Sequence, residues 1–208
     1  MNSSRFMTGD DTGKVRKVIL FMVMSIDGFV GGPNGELDWE ARDEDVSRDF
    51  VVDMQSTVDT MLLGRVLFQG FEQAWPAMAS NPSSPKEIVD FANWIENSQK
   101  IVFTKTLENV GWKNSRLVSV SNDEDIAKEV KKLKQQTGGD MVVFGGARFA
   151  ATLAQLGLID EYRLKLQPVA LGKGLALFNE RMNLKLVKCK AYESGVVGLY
   201  FQPIQKTS

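Results

Sequence analysis

Five short apolar runs constrain this chain more than any other feature: KVILFMVM (17–24), TMLLG (60–64), KIVFT (100–104), RLVSV (116–120) and DMVVFG (140–145). Runs of that length with little polar alternation are what a sheet covered on both faces requires, so they predict buried, mostly parallel strands. Parallel neighbours need crossovers, and helical patterns fill the gaps. Val46, Phe50 and Met54 recur every four residues and predict a helix from Asp45 that ends near Val58. SSPKEIVDFANWIEN predicts a second, with Ser84 as N-cap, Pro85 at the first helical position and Glu87 closing a capping box. SNDEDIAKEVKKLKQQTGG predicts a third, with cap candidates Ser121 and Asn122, a stripe of Ile126, Val130 and Leu133, and a stop at Gly138-Gly139. ARFAATLAQLG predicts a fourth.

After that helix the pattern changes. EYRLKLQPV alternates Tyr162, Leu164 and Leu166, and LKLVKCKAY and VVGLYFQP flank ESG as a hairpin would. The apolar phase slips within LKLVKCKAY, which predicts a β-bulge. MASNPSSP (78–85) reads as a surface loop. The expected architecture is α/β: a mixed, mostly parallel central sheet with helices on both faces and an antiparallel C-terminal edge. It forms one domain over residues 16–204, behind a polar, flexible leader at 1–15.

Composition removes several functions. With 25 Lys plus Arg against 26 Asp plus Glu there is no cationic excess for a nucleic-acid backbone. No apolar run reaches the length of a membrane span, and Cys189 has no second cysteine to pair with, so the expected setting is cytoplasmic with no membrane partner. The chain contains no histidine, which excludes Ser-His-Asp triads, His-liganded zinc and His general bases. No metal site is expected. Catalysis is left to carboxylates, Lys, Tyr, water or a cofactor.

Three strand ends then stand out. Gly145-Gly146 follows one run and opens a helix; alone, the pair is as consistent with a tight turn as with an anion seat. LLGR ends another run at Gly64 and Arg65, and VFTKT ends a third at Thr104 and Lys105. In one parallel sheet these ends share an edge, where glycine turns, cations and a hydroxyl can converge on phosphates.

ILFMVMSIDGFVGG, DTMLLGRVLFQGF, KIVFTKTL, MVVFGGARFAATLAQLGLIDEYRL and QPVALGKGLALF, in that order over residues 17 to 202, resemble the dihydrofolate reductase superfamily. The likeness is greatest to the C-terminal reductase domain of the bifunctional deaminase-reductases of riboflavin biosynthesis and its stand-alone relatives. The resemblance implies a three-layer fold and an NADPH-dependent oxidoreductase. It implies that Gly64 and Arg65 lie against the cofactor phosphates and that Thr104 and Lys105 hold the 2′-phosphate. Gly145, Gly146, Ala147, Arg148 and Phe149 would carry the pyrophosphate, with a cis peptide joining the glycines.

For the proton that accompanies hydride transfer, Asp27 in MSIDGF and Asp45 at the first helix are the candidate acids, with Glu44 a rival and turn or cap roles open for both aspartates. Trp39 is a candidate lining residue for the substrate pocket. Between Arg65 and Arg116 there is no arginine to grip an anionic substrate tail, leaving Lys86 or Lys100 as substitutes. The zinc site of a deaminase half cannot be built without histidine. The expected activity is reduction of a pyrimidine- or pteridine-like small molecule. A true dihydrofolate reductase and a non-catalytic NADPH-binding protein are the alternatives, and an uncovered sheet edge points to a homodimer.

Overall fold

The apolar runs form the middle of one eight-stranded sheet. The computed structural model describes residues 15–204 apart from positions 42 and 82, so the expected leader lies outside the described residues except for Val15. In chain order the elements are β1 (Val18–Ser25), α1 (Glu44–Gln55), β2 (Val58–Gly64), α2 (Arg65–Ser80), α3 (Lys86–Asn97), β3 (Gln99–Thr104) and β4 (Ser115–Ser119). There follow α4 (Asp123–Lys134), β5 (Asp140–Phe144), α5 (Ala147–Gln155), β6 (Glu161–Gln167), β7 (Leu184–Ala191) and β8 (Val197–Pro203).

The strand order is β4-β3-β2-β5-β1-β6-β8-β7. The first six run parallel; β8 lies antiparallel to β6 and β7 antiparallel to β8, the mixed sheet that the sequence predicts. Alternate residues of the central strands serve opposite cores, which is why these strands lack a polar face. Leu20, Leu62, Phe103 and Val143 pack with Ile126, Val130, Ala150 and Leu153 of α4 and α5. Ile19, Leu63, Val102 and Val142 pack on the other face with Met54, Phe68 and Ile95 of α1, α2 and α3. The expected bulge falls between Leu186 and Lys188, where β7 slips by one residue against β8.

Four local expectations are corrected. α1 ends at Gln55, and Val58 already opens β2. Its N-cap is Asp43, whose carboxylate accepts the Val46 N–H at 3.0 Å and also binds the Ser194 hydroxyl in the β7–β8 turn. α3 begins at Lys86, one residue late: Pro85 has an extended ψ of 146° and serves as N-cap itself, without a side-chain cap from Ser84. Residues 65–80 form α2 in spite of Pro76, so the expected loop at 78–85 starts only after Ser80. The α4 prediction holds with Asn122 as cap, its side chain and that of Asp125 closing a reciprocal box.

α1 also rests on the C-terminal hairpin. Its Val46 and Phe50 join Val196 and Tyr200, with the Phe50 and Tyr200 rings stacked at 5.3 Å. Around them Asp53 pairs with Lys188 at 3.3 Å, while Asp49 accepts from Lys190 and, at 2.9 Å, from the Tyr192 hydroxyl.

Candidate active site

All six parallel strands end on one edge. There the neighbours β2 and β5 send their following helices to opposite faces of the sheet, α2 to one and α5 to the other. Such a divergence opens a crevice between two helix N-termini, the place where α/β sheets bind ligands. α1 and α4 are capped by their own side chains, whereas α2 and α5 begin at Gly64 and Gly146 with no side-chain cap. Their first amides therefore remain available to an acceptor.

The glycines have distinct causes. A Cβ on Gly64 would stand 3.3 Å from Cβ of Phe149, so the start of α2 can approach the first turn of α5 only without a side chain. Gly145 and Gly146 are not crowded; they adopt φ of 49° and 67°, in the left-handed region that favours glycine. None of the described peptide bonds is cis, which corrects the expectation of a cis Gly145-Gly146 link: two consecutive left-handed residues turn the chain from β5 into α5 with ordinary peptides.

Arg65, Lys105 and Arg148 are exposed on this edge, and none takes part in an ion pair among the described residues. Thr104 is buried, and its hydroxyl oxygen accepts from the Thr106 and Leu107 amides at 3.1 and 3.0 Å, shaping the turn that presents Lys105. Gly64, Arg65, Thr104, Lys105 and the 145–149 turn are thus gathered on one edge. Phe149 lies against Phe103 with ring centroids 5.1 Å apart.

Asp27 has a specific occupation. Its carboxylate accepts from the Ser25 hydroxyl at 2.6 Å and from the Leu171 and Gly172 amides at 3.1 and 2.7 Å. These bonds, the Ser25 one foremost, hold its pKa down to about 2, so it is a fixed anion at neutral pH that braces the 171–172 turn against the end of β1. Asp45 is exposed and pairs with Arg48 at 2.9 Å. Trp39 is half-buried in the loop before α1, its indole N–H donating to the Glu36 carbonyl at 2.9 Å.

Lys100 is not a substrate grip. It lies near the opposite end of β3, fully buried, donating to the carbonyls of Glu96, Ser98 and Lys113 and sitting 4.4 Å over the Trp112 ring. Burial pushes its pKa down to about 8. Lys86 is exposed on α3 and pairs with Asp90.

Beside the edge lies a bed of aromatic rings that the sequence reading did not assemble. Phe144, at the end of β5, touches Phe21 of β1 at 5.8 Å, Phe71 of α2 at 6.3 Å, and Phe91 and Trp94 of α3 at 6.0 and 6.1 Å. Phe50 of α1 meets Phe21 at 5.1 Å, and Trp75 meets Phe91 edge-on at 5.1 Å. Phe50 and Phe144 are buried, and the other five rings are half-buried. They come from five elements, with two each on α2 and α3, and each fits a core position equally well by periodicity; only the crossovers bring them together. Among the described residues no group of His, Cys, Asp and Glu could hold a metal ion, and no helix is long and apolar enough to cross a membrane.

Uncapped helix N-termini at the carboxyl edge of a parallel sheet, flanked by an aromatic bed, form a crevice suited to a phosphate-bearing ligand with a flat ring. The chain belongs to the RibD C-terminal domain family, which it matches over residues 16–198. It is 35% identical over 191 residues to YyaP of Bacillus subtilis (strain 168), covering 90% of this chain and 95% of that protein. Among solved structures it is similar to a putative riboflavin biosynthesis protein from Shewanella sp. PV-4, with a TM-score of 0.63 at 20% identity over 91% of this chain and 99% of that one. It also shares the fold of Enterococcus faecalis dihydrofolate reductase complexed with NADP(H), with a TM-score of 0.57 at 14% identity over 91% of this chain and 97% of the other.

Proposed function

We propose that this protein is an NADPH-dependent reductase acting on a planar pyrimidine- or pteridine-like ring. The observation that carries the reading is the pair of uncapped helix N-termini, α2 and α5, set at one crevice beneath the unpaired cations Arg65, Lys105 and Arg148. Helix amides suit a pyrophosphate, and free cations suit the additional phosphate that separates NADPH from NADH. Membership of a family that contains reductases, and the fold shared with an NADP(H) complex, support the same reading.

In this reading the bound cofactor supplies the hydride, and the chain holds and orients. Gly64 and the 145–149 turn seat the pyrophosphate, Lys105 and the Thr104 hydroxyl take the 2′-phosphate, and the aromatic bed receives the flat ring and excludes water from it. Asp27, ionised at neutral pH, positions the loop around the ring rather than delivering a proton. Asp45 and Trp39 stand at the approach, and water is the proton source.

Quenching of tryptophan fluorescence by NADPH and NADH tests the seat. NADPH is expected to bind at least about tenfold more tightly, the difference one charge-assisted contact makes, and Lys105→Ala to remove most of it. Failure of both nucleotides to bind would overturn the reading.

A further inference from the structure

β6 hides a polar row that burial alone does not justify. Its Tyr162 and Leu164 face the α4–α5 core, whereas Arg163, Lys165 and Gln167 pair in register with Phe21, Val23 and Ser25 of β1. Partners across a ladder share a face, so the three lie on the same side as Phe21 and continue the aromatic bed by one strand. They are 9%, 5% and 0% exposed.

Two of the three are only partly satisfied by the described residues. The Arg163 guanidinium bonds Glu161 at 2.7 Å and lies 5.5 Å from the centre of the Tyr200 ring, but its Nη1 has no hydrogen-bond partner among the described residues. The Gln167 side-chain oxygen accepts the Ala41 amide at 3.0 Å, while its Nε2 has no partner among the described residues. Lys165 pairs directly with the Glu40 carboxylate at 2.8 Å, with the Asp43 carboxylate near enough to feel its charge. A buried donor without an acceptor keeps the full cost of its desolvation, and such groups in a native fold call for an explanation. The partners of Lys165 and Gln167 are consecutive residues, Glu40 and Ala41, at the end of the long connection between β1 and α1. One short segment thus covers both, and its carboxylate already shows which chemistry the row accepts.

We propose that Lys165 and Gln167, with Arg163 behind them, form the polar wall of the substrate site. This wall recognises the oxo-substituted or anionic edge of a nitrogen heterocycle lying on the aromatic bed, with Glu40–Ala41 giving way to it. The assignment rests on the reductase reading for the location of the substrate. Every free group on the wall is a donor, so it favours rings that present carbonyl oxygens and disfavours rings that present amino groups at the same positions.

Lumazine and 2,4-diaminopteridine are ring isosteres that differ in this respect, and both can be titrated by quenching of tryptophan fluorescence. The wild-type protein, with and without saturating NADP+, is expected to bind lumazine at least about tenfold more tightly, the worth of one hydrogen bond to a charged group. Gln167→Glu keeps the acceptor for the Ala41 amide and turns the donor into an acceptor; it is expected to reduce or reverse the preference, and Lys165→Met to weaken lumazine about tenfold. Equal binding of the two rings, a preference for the diamino ring, or no binding of lumazine by the wild type overturns the proposal even if neither variant folds. A separate NADPH titration keeps the readings apart: nucleotide binding without ring discrimination removes the wall and leaves the reductase, and loss of nucleotide binding removes the reductase.

Discussion

Asp27 shows how a single side chain is assigned by its partners. An acid whose pKa falls to about 2 on folding, chiefly through the Ser25 hydroxyl and the Gly172 amide, contributes stability that is complete above the ordinary carboxylate value near 4 and is lost as the pH falls toward 2. Asp27→Asn should therefore lower the urea midpoint at pH 6 and lower it by a smaller amount at pH 2.5, a comparison that equilibrium unfolding at both pH values provides. Lys100 is the reverse case: a residue that looks like a surface cation in KIVFT is enclosed by three carbonyls and a tryptophan. Charge in a sequence marks solvent only where the fold leaves the residue outside, and each residue has partners far off in the chain: Leu171 and Gly172 for Asp27, Trp112 and Lys113 for Lys100.

At the scale of the element, the caps divide the helices by role. Asn122 and Asp125 satisfy the amides of α4 reciprocally, and Asn122→Ala should cost about 1 kcal/mol, read as a lowered denaturation midpoint with an unchanged m-value. The parallel strands were legible because double-sided burial leaves unbroken apolar runs, and the hairpin because ESG and the phase slip before Lys188 are local signals. α2 was not legible: Pro76 and the SNPSSP stretch that follows disguise a helix that tertiary packing of Phe68 and Phe71 sustains. The polar wall was hidden for a similar reason, since the alternation in EYRLKLQ predicts a solvated face where the structure has a buried one. The grouping of Gly64, Thr104 and Gly145 could be gathered from strand ends, because a parallel sheet forces them onto one edge. The aromatic bed depends on which helix crosses which face, and no local pattern carries that.

The whole molecule leaves one flank uncovered. β7 closes the sheet as an edge strand, exposed along nearly its whole length, with Leu186 and Val187 half or more open to solvent beside the bulge. An edge of that kind invites pairing, and we expect a homodimer across it. Light scattering should give twice the chain mass at micromolar concentration, and Val187→Lys should return the monomer. The strand order carries a different consequence, for the making of the chain. β1 is synthesised first yet sits between β5 and β6, whose residues 141–144 and 161–167 emerge more than a hundred positions later. At roughly 5–20 residues per second, the ribosome keeps that strand waiting for its neighbours for on the order of ten seconds. During that interval its eight apolar-rich residues are an unpaired template, so the growing chain depends on whatever shields a nascent strand far more than the finished protein does.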